Sequence, residues 1–217
     1  MKSLAKSTLR VLSTVIVLPA VALCRLQASL VGAESAFSGW SELFSLLPGV
    51  TGEYLRHAFY RLCAESCGDD ACIGFGTISA HPGIRIGCSA YIGNFCSLGN
   101  VSIEDDVLIA SHVSVMNGCH QHGTSRLDIP IRDQPGEFIP VTIGTGSWIG
   151  EHATVAADVG RHCIVGAGSL VLKPIADYAI AVGSPARVIG DRRDGTALEN
   201  LAGAGFSPDE ESVADVC

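Results

Sequence analysis

The chain has 217 residues, 47% of them hydrophobic and only 17% charged, which suits one sizeable core with appendages. A formal net charge of −8 argues against nucleic acid as a partner, since phosphate binding needs a basic surface. The charge is uneven: residues 1–35 hold Lys2, Lys6, Arg10 and Arg25 against Glu34, while residues 191–217 hold seven acids against Arg192 and Arg193.

The N-terminus opens on an uncharged apolar run, Val11 to Cys24, behind three of those basic residues. The run is short for a spanning helix, contains Pro19, and is separated by Arg25 from a second apolar piece ending at Ala33. Such a length reads as a re-entrant or interfacial segment, and Ala20-Val21-Ala22 also resembles a signal-peptidase site. Residues 1–35 are therefore expected to associate with a membrane, whether they span it, lie on it or are cleaved.

Residues 36–72 follow as amphipathic helices. Trp40, Leu43, Phe44 and Leu47 share one face before Pro48-Gly49, and Leu55, Ala58, Phe59 and Leu62 repeat the i, i+3, i+4, i+7 spacing. Cys63, Cys67 and Cys72 contain no C-x-x-C pair, and the other six cysteines are scattered. They read as buried apolar residues in a reducing compartment, and no metal site is expected.

From residue 73 the texture changes. An aliphatic recurs every six residues at Ile86, Ile92 and Leu98, then Ile103, Ile109 and Val115, then Ile143, Ile149 and Val155, commonly followed by a small residue. Each six-residue unit reads as one short parallel strand forming a flat side of a prism, its aliphatic inward and its small residue at a tight corner. Three units close a coil, and stacked coils share one apolar core. A sandwich would show period-two alternation instead. Two slips, Leu98 to Ile103 and Val155 to Val165, read as shortened corners.

The segments IEDDVLIASHVSVMNGCH, PVTIGTGSWIGEHATV and IVGAGSLVLKPIADYAIAVGSPARVI carry a resemblance to the hexapeptide-repeat acyltransferases. Over residues 73–190 the chain is similar to the O-acetyltransferases of small sugars and surface polysaccharides. The resemblance implies an all-β core, a left-handed parallel β-helix, assembled as a homotrimer. Leu172 stands where the family usually has Thr, and no second basic residue follows soon after Arg187.

The aliphatic ruler stops after Val115 and resumes at Val141 or Ile143. Between lies HQHGTSRLDIPIRDQPGEFIP, too polar and proline-rich for a coil, and loops this long are usually functional or disordered. In the resembling enzymes such a loop, here 118–140, leaves the helix at the catalytic histidine. Gapless counting puts that histidine at His120, and a shift of one or two residues favours His122. A histidine near its unperturbed pKa of about 6.5 can take the proton of an attacking hydroxyl and return it to a leaving thiolate.

The resemblance further implies acetyl-CoA as acyl donor, with Lys173 and Arg187 as phosphate contacts and Ala167 and Gly168 as small residues beside the pantetheine. Asn94 and Trp148 are candidates to line the acceptor site, with a turn and core packing as equal readings. Asp105, Asp106 and Asp128 could orient the histidine or be solvated acids. Cys119 offers a Cys–His rival, but adjacent strand residues point to opposite faces. His112 and His152 are read as structural, and His57, His81 and His162 as surface. The expected activity is O-acetyl transfer to a sugar hydroxyl in exopolysaccharide or surface-glycan assembly, at the cytoplasmic face of the membrane. A γ-type carbonic anhydrase with zinc, or a non-catalytic β-helix scaffold, would share the prism. The acidic stretch 191–217 reads as a flexible tail.

Overall fold

The computed structural model describes residues 2–119 and 121–194, with side chains from residue 6 onward. Its core is a parallel β-helix of about six turns built on three sheets. The first sheet stacks β1 (Ser66–Cys67), β4 (Arg85–Ile86), β7 (Val101–Ile103) and β10 (Val141–Ile143). The second stacks β2 (Cys72–Ile73), β5 (Tyr91–Ile92), β8 (Leu108–Ile109), β11 (Trp148–Ile149), β13 (Ile164–Val165) and β15 (Ala179–Val182). The third stacks β3 (Ile78–Ser79), β6 (Ser97–Leu98), β9 (Ser114–Val115), β12 (Thr154–Val155) and β14 (Leu170–Val171). An antiparallel strand, β16 (Arg187–Asp191), closes the second sheet against β15. The prism thus begins at Ser66, before the start at 73 expected from the sequence.

Every inward position of the ruler is buried, from Ile86, Ile92 and Ile103 to Ile143, Ile149 and Val165. The apparent gap from Val155 to Val165 holds Val159, which bridges in parallel to Ile143 and Ile175 and continues the first sheet. It is hidden in the sequence because a single bridging residue replaces a two-residue strand.

Two of the three corners are built identically. The residue three places beyond the inward aliphatic takes a left-handed φ, as at Ser89, Asp106 and His162 on one corner and Phe95, His112 and His152 on the other, with φ between 55° and 60°. Coils approach closely there: a Cβ at Gly150 would stand 2.5 Å from the Ala167 nitrogen. The left-handed residues stack through their rings, Phe95 on His112 at 5.3 Å and His112 on His152 at 4.8 Å, both nearly parallel. The third corner obeys no fixed length. It runs from Leu98 to Ile103, from Val155 to Val159 and from Val171 to Ile175, and the long loop is an insertion at this corner.

Three helices close the N-terminal end of the prism: α1 (Lys2–Val31), α2 (Ala33–Ser45) and α3 (Gly49–Cys63). An open coil end exposes its apolar core, so a cap is required. Phe37, Phe44, Ala58 and Phe59 supply it, with Phe59 stacked on Phe44 at 4.9 Å and on Phe37 at 5.5 Å. Leu43, expected on the buried face, is 54% exposed, because α2 turns Phe37, Ser41, Phe44 and Ser45 inward.

Polar groups at the seam are paired. Arg56, 2% exposed, donates from Nε to the Ile73 carbonyl (2.9 Å) and from Nη1 to the Leu47 carbonyl (2.5 Å). The Ser41 hydroxyl bonds the Tyr60 hydroxyl (2.8 Å) and accepts the Ser79 N–H (2.9 Å).

α1 corrects the sequence reading. Pro19 and Arg25 do not divide it: one 30-residue helix runs through both, and Lys6–Val31 is long and apolar enough to cross a membrane by length and composition. His57 is also corrected from surface to buried, its ring nitrogen Nε2 donating to the Gly68 carbonyl at 2.8 Å. Cys24, Cys72, Cys96 and Cys163 are buried, as expected, while Cys88 and Cys119 are exposed and Cys63 and Cys67 lie between. Burial pushes the Cys63 and Cys67 thiols up to about 12, so both stay protonated and inert.

Candidate active site

The loop, residues 116–140, leaves β9 and returns into β10. Its root is clamped on both strands of chain: the Met116 N–H donates to the Val155 carbonyl (2.8 Å), and the Ile139 N–H donates to the Asn117 carbonyl (3.1 Å). Asn117 is buried and anchors the exit, its side-chain oxygen accepting the Asn100 N–H and its amide facing His81 Nε2 at 2.9 Å. Gly118 then takes φ 81°, three residues beyond Val115, as at the regular corners, but the chain turns outward instead of closing.

Inside the loop, buried Gln134 holds the fold, donating to the Arg126 and Ile129 carbonyls and accepting the Arg126 N–H at 3.1 Å. His122 is exposed, its ring edge-on to Phe138 at 6.4 Å, beside Gly123, Pro135 and Glu137. His120 lies outside the described residues. Its neighbour Cys119 is described. The thiol points back along the third corner toward the carbonyls of Ala156 (3.6 Å) and Leu172 (3.7 Å).

That contact sets the residue before His120 against the residue before Lys173. Lys173 and Arg187 line one depression with Leu172, Pro174 and Ala186 at the C-terminal end of the prism. The hairpin of β15 and β16 holds this end in place through the Ala186 N–H, which donates to Leu170 at 2.8 Å. Ala167 and Gly168 are exposed at the neighbouring corner, across the width of β14, and a Cβ on Gly168 would meet nothing within 4 Å. The two cations and the open glycine thus flank the same stretch of the third sheet.

Other candidates are placed elsewhere. Asn94 sits at a regular corner, its side-chain oxygen accepting the Phe75 N–H at 2.8 Å, so a turn role is filled. Trp148 projects from the second sheet, 46% exposed, in register with Leu108 and Ile164. The structure does not bring these two to the loop root. Asp105 accepts the Cys88 N–H at 2.7 Å, and Asp106 occupies a left-handed corner. Asp128 pairs with Arg126, whose hydrogen bonds hold its carboxyl below the usual range. None of the three orients His122. His112 and His152 are stacked face to face, and among the described residues no three His, Cys, Asp or Glu side chains gather as a metal set.

Sequence reasoning missed His81, which it left at the surface. Only the turn HPG after β3 marks it in the sequence, and nothing local reports its bond to Asn117, 36 positions away.

No protein-family model matches the chain. Among curated proteins it is 34% identical over 123 residues to a probable acetyltransferase of Mycobacterium tuberculosis, covering 54% of this chain and 40% of that protein. It is 36% identical over 99 residues to the galactoside O-acetyltransferase of Escherichia coli, covering 43% and 45%. A putative lipopolysaccharide biosynthesis O-acetyl transferase of Escherichia coli is 33% identical over 105 residues, covering 44% and 53%. The chain thus spans about half the length of these relatives.

Among solved structures, a maltose O-acetyltransferase from Clostridium difficile aligns with TM-score 0.64 at 21% identity, over 73% of this chain and 87% of that one. A galactoside acetyltransferase in complex with coenzyme A aligns with TM-score 0.64 at 20% identity, over 84% and 90%. At these identities the structures speak to the fold alone. The chain is thus similar in sequence, over about half its length, to acetyltransferases known or inferred, and shares its fold with solved O-acetyltransferases.

Proposed function

We propose that this protein is an acetyl-CoA-dependent O-acetyltransferase acting on a sugar hydroxyl, in the assembly of an exopolysaccharide or other surface glycan. The observation that carries the reading is the Cys119 thiol lying 3.7 Å from the Leu172 carbonyl. It ties the exit of the histidine loop to the Lys173–Arg187 end. Because β9, β12 and β14 stack in register, the chain leaving β9 lies over the chain leaving β14, which sets the histidine-bearing exit beside the one lysine that follows Lys6 in the sequence.

The residues fit the donor. Lys173 and Arg187 provide two exposed cations for phosphates, and the unobstructed surface at Gly168 leaves room for a narrow chain along the coil. When bound, acetyl-CoA would supply the acetyl group as a reactive thioester, and coenzyme A leaves as the thiol. His120, or His122 in a shifted register, accepts the proton of the acceptor hydroxyl as its oxygen bonds to the acetyl carbon, then delivers that proton to the departing sulfur. The developing negative oxygen needs a fixed donor, for which a backbone N–H at a coil corner is the candidate. Holding donor and acceptor together supplies much of the remaining acceleration.

A homotrimer suits this reading, because an insertion at a single corner projects from the prism toward a neighbour around a cyclic axis. Coenzyme A release, measured across a panel of sugars and acyl donors, tests the assignment. Release that depends on a sugar alcohol and on acetyl-CoA supports it. Acceptor-independent hydrolysis alone, or transfer only to amines, overturns it.

A further inference from the structure

α1 is fastened to the protein along one stripe. Ser13, Val17, Val21 and Cys24 are buried, and Ala20 and Ala28 pack half-buried against the same core. At 100° per residue these six fall within about 60° of a single line running most of the helix's length. The opposite side is apolar and uncovered: Leu12, Val15, Ile16, Leu18, Leu23 and Leu26 are each at least half exposed. No charged residue occurs between Arg10 and Arg25. A continuous sector of this kind exceeds the scattered apolar residues of an ordinary soluble surface.

The flanks of the sector are polar. Arg25 donates to the Leu62 carbonyl at 3.3 Å, and Gln27 accepts the indole N–H of half-buried Trp40 at 3.0 Å. Arginine and tryptophan at the margin of an apolar face suit the headgroup level of a bilayer, where one end of the side chain is apolar and the other wet. A transmembrane pose conflicts with the packing. The stripe would carry α2 and α3 into hydrocarbon with Glu42, Glu53 and Arg61.

We propose that α1 is an in-plane membrane anchor, laying its Leu12–Leu26 sector among lipid acyl chains while α2, α3 and the β-helix stay on one side. The occupant is the bilayer itself, and insertion is driven by apolar burial more than by charge, because no basic side chain lies within the sector.

The test uses the full chain with phosphatidylcholine vesicles, read by flotation, independently of any transferase activity. The protein floats with neutral vesicles at low and high salt. The combined variant Leu12→Gln, Ile16→Gln and Leu23→Gln lowers the vesicle-bound partition at least tenfold, with helix content and unfolding midpoint unchanged. Leu26→Gln alone lowers it several-fold, which keeps the test valid if the triple variant misfolds. An N-terminal tag stays open to protease added outside, as does the β-helix. Equal flotation of wild type and both variants overturns the proposal. So does a protected tag beside an accessible β-helix, which means a spanning helix. Absence of flotation, with variants that instead dissociate an oligomer, assigns the sector to a second copy and overturns it as well.

Discussion

His81 receives a hydrogen bond at Nε2 from the side-chain amide of Asn117 (2.9 Å), while its Nδ1–H donates to Glu34 (3.1 Å). The direction is settled by Asn117, whose oxygen is taken by the Asn100 N–H, leaving only its amide hydrogens for the ring. A residue of α2 is thereby linked through one imidazole to the first turn of the histidine loop. His81→Ala is expected to lower turnover roughly 10- to 100-fold, since small misplacements of a reacting group carry costs of that order. The KM for acetyl-CoA and the melting temperature should move little. His81→Gln, able to donate to Glu34 and accept from Asn117, should recover most of the loss in steady-state kinetics. Equal damage by both variants contradicts a positioning role.

The base is distinguished by two variants on one preparation. His120→Ala is expected to reduce kcat by about 10²–10⁴-fold while coenzyme A still binds, the range for a positioned acid–base group. His122→Ala should be mild, because that ring is exposed and packs edge-on against Phe138. A dead second variant beside a healthy first exchanges the roles.

Lys173→Ala should raise the KM for acetyl-CoA with little effect on kcat. A remote phosphate contact is made alike in ground and transition states, so its loss appears as uniform binding. The same substitution should weaken retention on immobilised coenzyme A, which provides a readout without turnover.

His57 makes stability depend on pH. Burial, with Arg10 and Arg61 adding to it, holds its folded pKa below the ordinary value, against smaller opposing contributions from Gly68 and Asp70. The unfolded chain therefore binds the proton more readily, and stability present above about pH 6.5 declines as pH falls from there toward the folded value. Urea unfolding at pH 7.5 and 5.5 should show this decline in wild type and a flatter response in His57→Gln. Carboxylates such as Asp191, held at about 2 by Arg193, act at lower pH and leave this window clear.

Much of the prism was legible because an inward aliphatic every sixth residue has one geometric meaning. Ile86, Ile109 and Ile149 were placed correctly without any knowledge of contacts. Val159 escaped because the third corner has no fixed length, so the ruler cannot be carried across it. Lys173 and Arg187 were readable as an ordered block, and they do share a depression. Asn94 and Trp148 were not separable by sequence, since a residue's corner and sheet follow from its coil position. The seam of the cap was opaque for another reason: Arg56, His57 and His81 find their partners across elements, and local pattern cannot tell such a residue from a solvated one.

The unequal corners also say where this architecture can change. At two edges the coils are locked by left-handed backbone and near-touching main chain, with rings stacked along part of each edge, so an added residue there would dislodge the coils on both sides. At the third edge 25 residues, 116–140, intervene while Ser114 and Val115 stay in register with Thr154 and Val155. New recognition loops can therefore be acquired along that edge one coil at a time, and their sequences can drift without disturbing the scaffold. Diversity of acceptors would accumulate along a single line of the molecule.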